Sequence, residues 1–205
     1  MCDISARLKA ETGLEYRIYG FDSGTGMPPA RDYRDHPDLY ALGDFPMDHP
    51  LLASALPANA KLIIGDVAET VPAFIETLSE EFPIGFVSVD VDYYWSSKEA
   101  LRLFSGHKPE VYLPTSVVYF DDIAEDEHNS WAGELLSIEE FNGEHPYRKL
   151  ERNRFIRNKR VMKHAWWLDQ VYYLHTLDHP HRSSVRERRG AAPREVANPF
   201  IGQKL

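Results

Sequence analysis

The polarity of this chain switches between short, continuous apolar runs and stretches in which apolar residues recur every three or four positions. Residues 15–21, 60–64, 84–89 and 116–120 are runs rich in β-branched and aromatic side chains, and most close on Gly or Asp. Such runs predict buried strands. Between them, residues 4–12 predict a helix with Asp3 or Ser5 as cap and Gly13 as stop. Val71, Phe74, Ile75 and Leu78 share one face of a helix over 71–82, Ser96 and Ser97 cap another over 98–104, and a further helix spans 131–141. Regular alternation of strand and helix predicts an α/β fold with a doubly wound, mostly parallel sheet. Two later strands, 147–156 and 166–175, are separated by nine residues, too few for a helical crossover. They predict an antiparallel hairpin at the C-terminal edge of the sheet. Residues 24–50, rich in Gly, Pro and Asp, predict a loop of the length that functional loops have.

Composition narrows the class. A chain of 205 residues with 43% hydrophobic and 27% charged residues predicts one globular domain, residues 1–181, followed by a basic, loosely ordered tail, 182–205. The single Cys2 excludes a disulfide scaffold or a multi-Cys zinc site and suits a reducing compartment. With no basic-then-apolar leader at Met1 and no run of about eighteen apolar residues, a cytoplasmic protein without a membrane partner is expected. The net charge of −9 argues against nucleic acid, and a homo-oligomer is compatible with it. Charge is also segregated: residues 121–144 hold nine acids and no Lys or Arg, while residues 148–163 hold eight Lys/Arg and one acid. Two solvated faces that attract each other are the simplest reading.

The candidate chemistry lies where apolar runs end in acid. Phe86-Val87-Ser88-Val89 ends in Asp90-Val91-Asp92, and Val117-Val118-Tyr119-Phe120 ends in Asp121-Asp122. Ligands of open α/β sheets bind at the carboxyl ends of strands. Four acids gathered there repel one another unless a cation or a shared proton compensates, which points to a hard divalent ion such as Mg²⁺. An ion held by three carboxylates can lower the pKa of an acceptor hydroxyl, and a neighbouring carboxylate can take the proton. Asp22 ends the first run and precedes Ser23-Gly24-Thr25-Gly26. It reads either as an acceptor for ribose hydroxyls or as a simple turn residue. Asp66 reads either as a partner for an adenine amino group or as a helix cap. His175, His179 and His181 read either as a metal site or, since strand geometry separates residues four apart widely, as unrelated side chains, and Trp166-Trp167 reads as packing or as an acceptor-binding face.

Tyr19-Gly20-Phe21-Asp22-Ser23, Ile64-Gly65-Asp66-Val67, Val89-Asp90-Val91-Asp92-Tyr93-Tyr94 and Phe120-Asp121-Asp122 follow one another in order. Together they resemble the class I S-adenosylmethionine-dependent methyltransferases, specifically the macrocin O-methyltransferase-like group, over about residues 14–142. The resemblance implies a Rossmann-like sheet with a reversed last strand. It implies that Asp22 and Ser23 meet the cofactor ribose and that Asp66 and Val67 lie by the adenine. It also implies Mg²⁺ on Asp90, Asp121 and Asp122, with Asp90 or Asp92 as the base and a sugar or phenol-like hydroxyl as acceptor. One departure stands out. The group begins with a strand and a Gly-rich turn, whereas here the first strand corresponds to the group's second. Without that strand its two neighbours lose backbone partners, so either the start lies upstream or the remaining strands close the gap. A metal-dependent glycosyltransferase using Asp90-Val91-Asp92 and a non-catalytic binding module are the rival readings.

Overall fold

Apolar runs and amphipathic stretches become six strands and six helices in a computed structural model that describes residues 1–183. The strands are β1 (Ile18–Asp22), β2 (Ala60–Ile64), β3 (Ile84–Val89), β4 (Tyr112–Phe120), β5 (Arg148–Arg152) and β6 (Val171–Thr176). The helices are α1 (Cys2–Thr12), α2 (His49–Ala55), α3 (Val67–Ile75), α4 (Tyr94–Leu101), α5 (Gly133–Glu144) and α6 (Pro180–Ser183). Residues 184–205, most of the expected tail, fall outside the described residues; Arg182 donates to the carbonyl of Thr176 at 2.8 Å.

The sheet order is β3-β4-β6-β5, with β3 parallel to β4 and β6 antiparallel to both β4 and β5. Only β6 runs against the others, so the fold is mixed α/β with a mostly parallel sheet and an antiparallel edge. The connection between β5 and β6 is longer than predicted, because the expected strand ends give way to irregular chain and two 3₁₀ turns, Ile156–Lys159 and Trp166–Gln170. Trp166 and Trp167 therefore sit in a turn and not on a strand.

β1 and β2 pair in parallel as a separate two-stranded sheet. Among the described residues β1 pairs only with β2, and β3 only with β4. The strands thus do not close on one another. What joins the two pieces is side-chain packing. Phe74 of α3 lies 4.7 Å from the ring of Tyr19 and 5.2 Å from that of Phe21, while Val71 and Val67 of α3 reach the main core. The Arg17 guanidinium stacks 3.5 Å over Phe82. That core is built of Leu101, Phe104, Tyr112, Val118, Phe120, Phe141 and Leu174, all buried between sheet and helices.

Helix ends depart from prediction in ways that matter for the site. α1 stops at Gly13 as expected, in a left-handed conformation (φ 73°) that glycine adopts without steric cost. α3 begins earlier than periodicity suggested because the Asp66 carboxylate caps it, accepting from the Ala68 amide at 2.8 Å. α4 begins at Tyr94, so Ser96 and Ser97 lie inside it. Its free amide at Trp95 is satisfied from a distance by Asp35, a residue of the long loop, at 3.1 Å.

Candidate active site

β3 and β4 end side by side, and the amide of Asp121 donates to the carbonyl of Val89 at 3.0 Å. This continued pairing sets Asp90 beside Asp121 and Asp122. One carboxylate oxygen from each of the three lies within 4.8 Å of the others, a spacing suited to shared ligation of one ion. Like charges and partial burial leave their mark. Burial, then Asp121 and Asp92, raise the pKa of Asp90. Burial first, then Asp92, Asp90 and Asp121, push Asp122 up to about 8. A divalent cation would relieve both.

Asp92 is set apart from these three. Its backbone is left-handed (φ 52°), an uncommon state for a non-glycine residue, and its amide donates to Asp122 Oδ2 at 3.3 Å. Burial, followed by a hydrogen bond to Asp92, raises the pKa of the Tyr40 hydroxyl, which places Tyr40 against Asp92. Tyr119 links the far side. Its hydroxyl lies 3.0 Å from Asp121 Oδ1 and 2.6 Å from Gln170 Oε1, and the Gln170 amide donates to the Asp121 carbonyl. Burial, then the bond to Asp121, push the Tyr119 phenol up to about 12.

Behind the acids stands Glu134, in the first turn of α5 and 0% exposed. Its Oε1 accepts from the Val91 amide at 3.3 Å, and the Asp122 amide bonds to the same carboxyl group, so one side chain ties both strand-end loops together. Oε2 has no partner among the described residues. Burial, reinforced by Asp122, raises its pKa well above the usual range and favours the neutral acid.

The long loop closes the other side. Asp35, also 0% exposed, accepts from the amides of Arg31 at 2.8 Å and Trp95 at 3.1 Å. This pins the loop to α4 and brings His36 next to Asp92. Gly133 (φ 55°) makes that approach possible, since a Cβ there would lie 2.8 Å from His36 Nε2 and 3.1 Å from the Asp92 carbonyl. His128, from the loop after Asp122, packs against His36 with ring centres 5.3 Å apart.

The predicted cofactor residues sit at adjoining ends of β1 and β2, where the Gly65 amide donates to the Asp22 carbonyl at 2.9 Å. Both acids have local partners. Asp22 Oδ1 accepts from the Gly24 amide at 2.6 Å, and Asp66 Oδ1 caps α3. Ser23 closes the same turn, donating to the Gly26 carbonyl at 3.1 Å, and Val67 is the first residue of α3. The turn and cap readings are therefore realised, and each acid keeps a second oxygen for a ligand. Two surface hollows lie away from the acids, one between α4 and α5 and one where α1 meets the starts of β1 and β2.

Sequence reasoning missed Glu134, Gln170, Asp35, His36 and Tyr40. Glu134 is one of nine acids in its stretch and carries no local signal that it is buried. Asp35 acts on a helix that begins 59 residues later, measured from Asp35 to Tyr94.

No protein-family model matches the chain, and no curated protein matches it. Among solved structures, a crystal structure of CalS11, a calicheamicin methyltransferase, is similar with a TM-score of 0.55 and 21% identity, covering 84% of this chain and 65% of that one. A second, an apo structure of CalS11, TDP-rhamnose 3'-O-methyltransferase, has a TM-score of 0.45 and 22% identity, covering 84% of this chain and 64% of that one. The chain thus spans about 65% of the first structure's length, and the likeness is one of fold.

Proposed function

We propose that the protein is an S-adenosylmethionine-dependent O-methyltransferase of the macrocin-like group, acting with Mg²⁺ on a hydroxyl of a small molecule such as a sugar or a phenol. The convergence of Asp90, Asp121 and Asp122 at the open end of two neighbouring parallel strands carries this reading. The fold likeness to CalS11, a calicheamicin methyltransferase, supports it, and the sugar or phenol-like acceptor is what the resemblance to the macrocin-like group implies. In the group, a further strand would occupy the interval between the unpaired edges of β1 and β3.

The residues fit the two absent groups. Three mutually repelling carboxylates, two of them with raised pKa values, are a donor set for a hard cation. Asp22 and Asp66 each retain an oxygen at adjacent strand ends for the polar groups of an adenosine. When bound, S-adenosylmethionine supplies an already activated methyl group and Mg²⁺ supplies a Lewis acid. The chain itself aligns the acceptor and receives its proton, and alignment contributes about 7–11 kcal/mol in favourable cases. Asp90 is the base in this reading, because it ends β3 beside Asp121 and Asp122, where an acceptor hydroxyl on the shared ion would lie within its reach. Glu134 holds the two acid-bearing loops in register from behind, while Asp92 anchors Asp122 through its amide.

Titration calorimetry with S-adenosylhomocysteine, in the presence of Mg²⁺, tests the proposal. One-to-one binding that weakens in an Asp22→Ala variant is expected. Binding of uridine diphosphate with Mn²⁺, and none of S-adenosylhomocysteine, would replace this reading with the glycosyltransferase one.

A further inference from the structure

We propose that two copies of this chain meet across a twofold axis at the sheet end formed by the β5–β6 connection and the β4–α5 loop. The first observation is apolar exposure. The β5–β6 connection leaves Phe155 67%, Met162 69% and Trp166 58% exposed, and the β4–α5 loop leaves Trp131 73% exposed. These two segments leave the same end of the sheet. Tyr119 of β4 stands opposite Val171 of β6, and the side chain of Gln170 reaches Asp121. A concentration of large apolar side chains on one rim marks a surface that something covers.

The second observation is charge. Glu125, Asp126 and Glu127 form an exposed acidic tip on one loop, and Arg154, Lys159, Arg160 and Lys163 are exposed on the other. The expected attraction between these stretches is not realised within the chain. Among the described residues, no ion pair joins any of those seven side chains to each other or to another group. Arg152, the last residue of β5, and Arg157 of the connection both pair with Asp169.

A membrane surface or a nucleic acid would satisfy the basic loop and be repelled by the acidic one beside it. A second copy of the chain carries both signs in the complementary order. In a twofold contact, where each patch meets the other's counterpart, the acidic tip of one copy faces the basic loop of its partner, and the reverse holds on the far side. The apolar side chains then meet at the centre inside a charged rim, the usual anatomy of a protein interface.

Sedimentation velocity on the full chain tests this, with variants that change only exposed side chains. The wild type is expected to be a dimer. Trp166→Glu should raise the dissociation constant by about tenfold or more while leaving the melting temperature of the fold in place. Reversing the acidic tip (Glu125→Lys, Asp126→Lys, Glu127→Lys) should give a monomer, and so should reversing the basic loop (Arg154→Glu, Lys159→Glu, Arg160→Glu). Mixed in equal amounts, the two reversed proteins should form a heterodimer, since both contacts are then again of opposite sign. A wild type that stays monomeric, a dimer that survives both reversals, or two reversed proteins that fail to associate would each overturn the proposal.

Discussion

Replacing Glu134 separates a structural tie from a buried charge. The side chain is wholly buried, and its carboxyl group serves the amides of Val91 and Asp122. Glu134→Ala leaves two buried amides without partners, at about 1 kcal/mol each or somewhat more. The lost methylene adds about 0.8 kcal/mol. A total near 3 kcal/mol follows, which in a domain of this size lowers the melting temperature by about 6–12 °C. Glu134→Gln keeps an oxygen acceptor in the same shape. Because burial favours the neutral form of the native acid, the amide is a close substitute and should cost less than about 1 kcal/mol. Urea unfolding of the three proteins at pH 7, followed by circular dichroism, measures both differences. The second readout is the melting-temperature rise on adding Mg²⁺, retained in Glu134→Gln and reduced in Glu134→Ala, where the acid-bearing loops are no longer held together. If the glutamine variant were as unstable as the alanine one, Glu134 would be ionised and the account of its environment wrong.

Three further outcomes are expected. Asp90→Asn should lower turnover by about 10²-fold or more while leaving the affinity for S-adenosylhomocysteine unchanged, and a variant with full activity would remove Asp90 from the role of base. The raised pKa of Asp122 makes the folded state bind more protons than the unfolded state between the ordinary carboxylate value of about 3.9 and about 8, so without metal its contribution lowers stability as pH rises through that window. Thermal melts should therefore show a shallower decline in Asp122→Asn, and a larger gain from Mg²⁺ at pH 8 than at pH 5 in the wild type; equal gains at both would contradict the assignment. Asp35→Ala should destabilise by about 2 kcal/mol through its two orphaned amides and expose residues 24–48 to limited proteolysis, with Asp35→Asn milder on both measures.

The strands were legible because their signal is local. β2 and β3 begin and end where the apolar runs do, and the acids that close β3 and β4 converge as paired parallel strands require. Helix starts were less legible. Ser96 and Ser97 have the chemistry of caps, yet the amide at Trp95 is served by Asp35, and no local pattern encodes a partner that arrives from another part of the chain. The same holds for the site. Its front, Asp90, Asp121 and Asp122, follows from where strands stop. Its back, Glu134 and Gln170, depends on how α5 and the β5–β6 connection settle against those strand ends, which is decided by tertiary packing.

The division of the sheet bears on how the molecule breathes. With no ladder of hydrogen bonds between β1 and β3, the β1–β2 pair is fastened to the rest through α3, the Arg17–Phe82 stack and the long loop that Asp35 pins to α4. Amide exchange should then report two cooperative units, the β1–β2 piece opening at lower free energy than the four-stranded piece. Any ligand that spans the two must spend part of its binding energy on holding them together. Its affinity should fall steeply on warming, well before the four-stranded piece begins to melt.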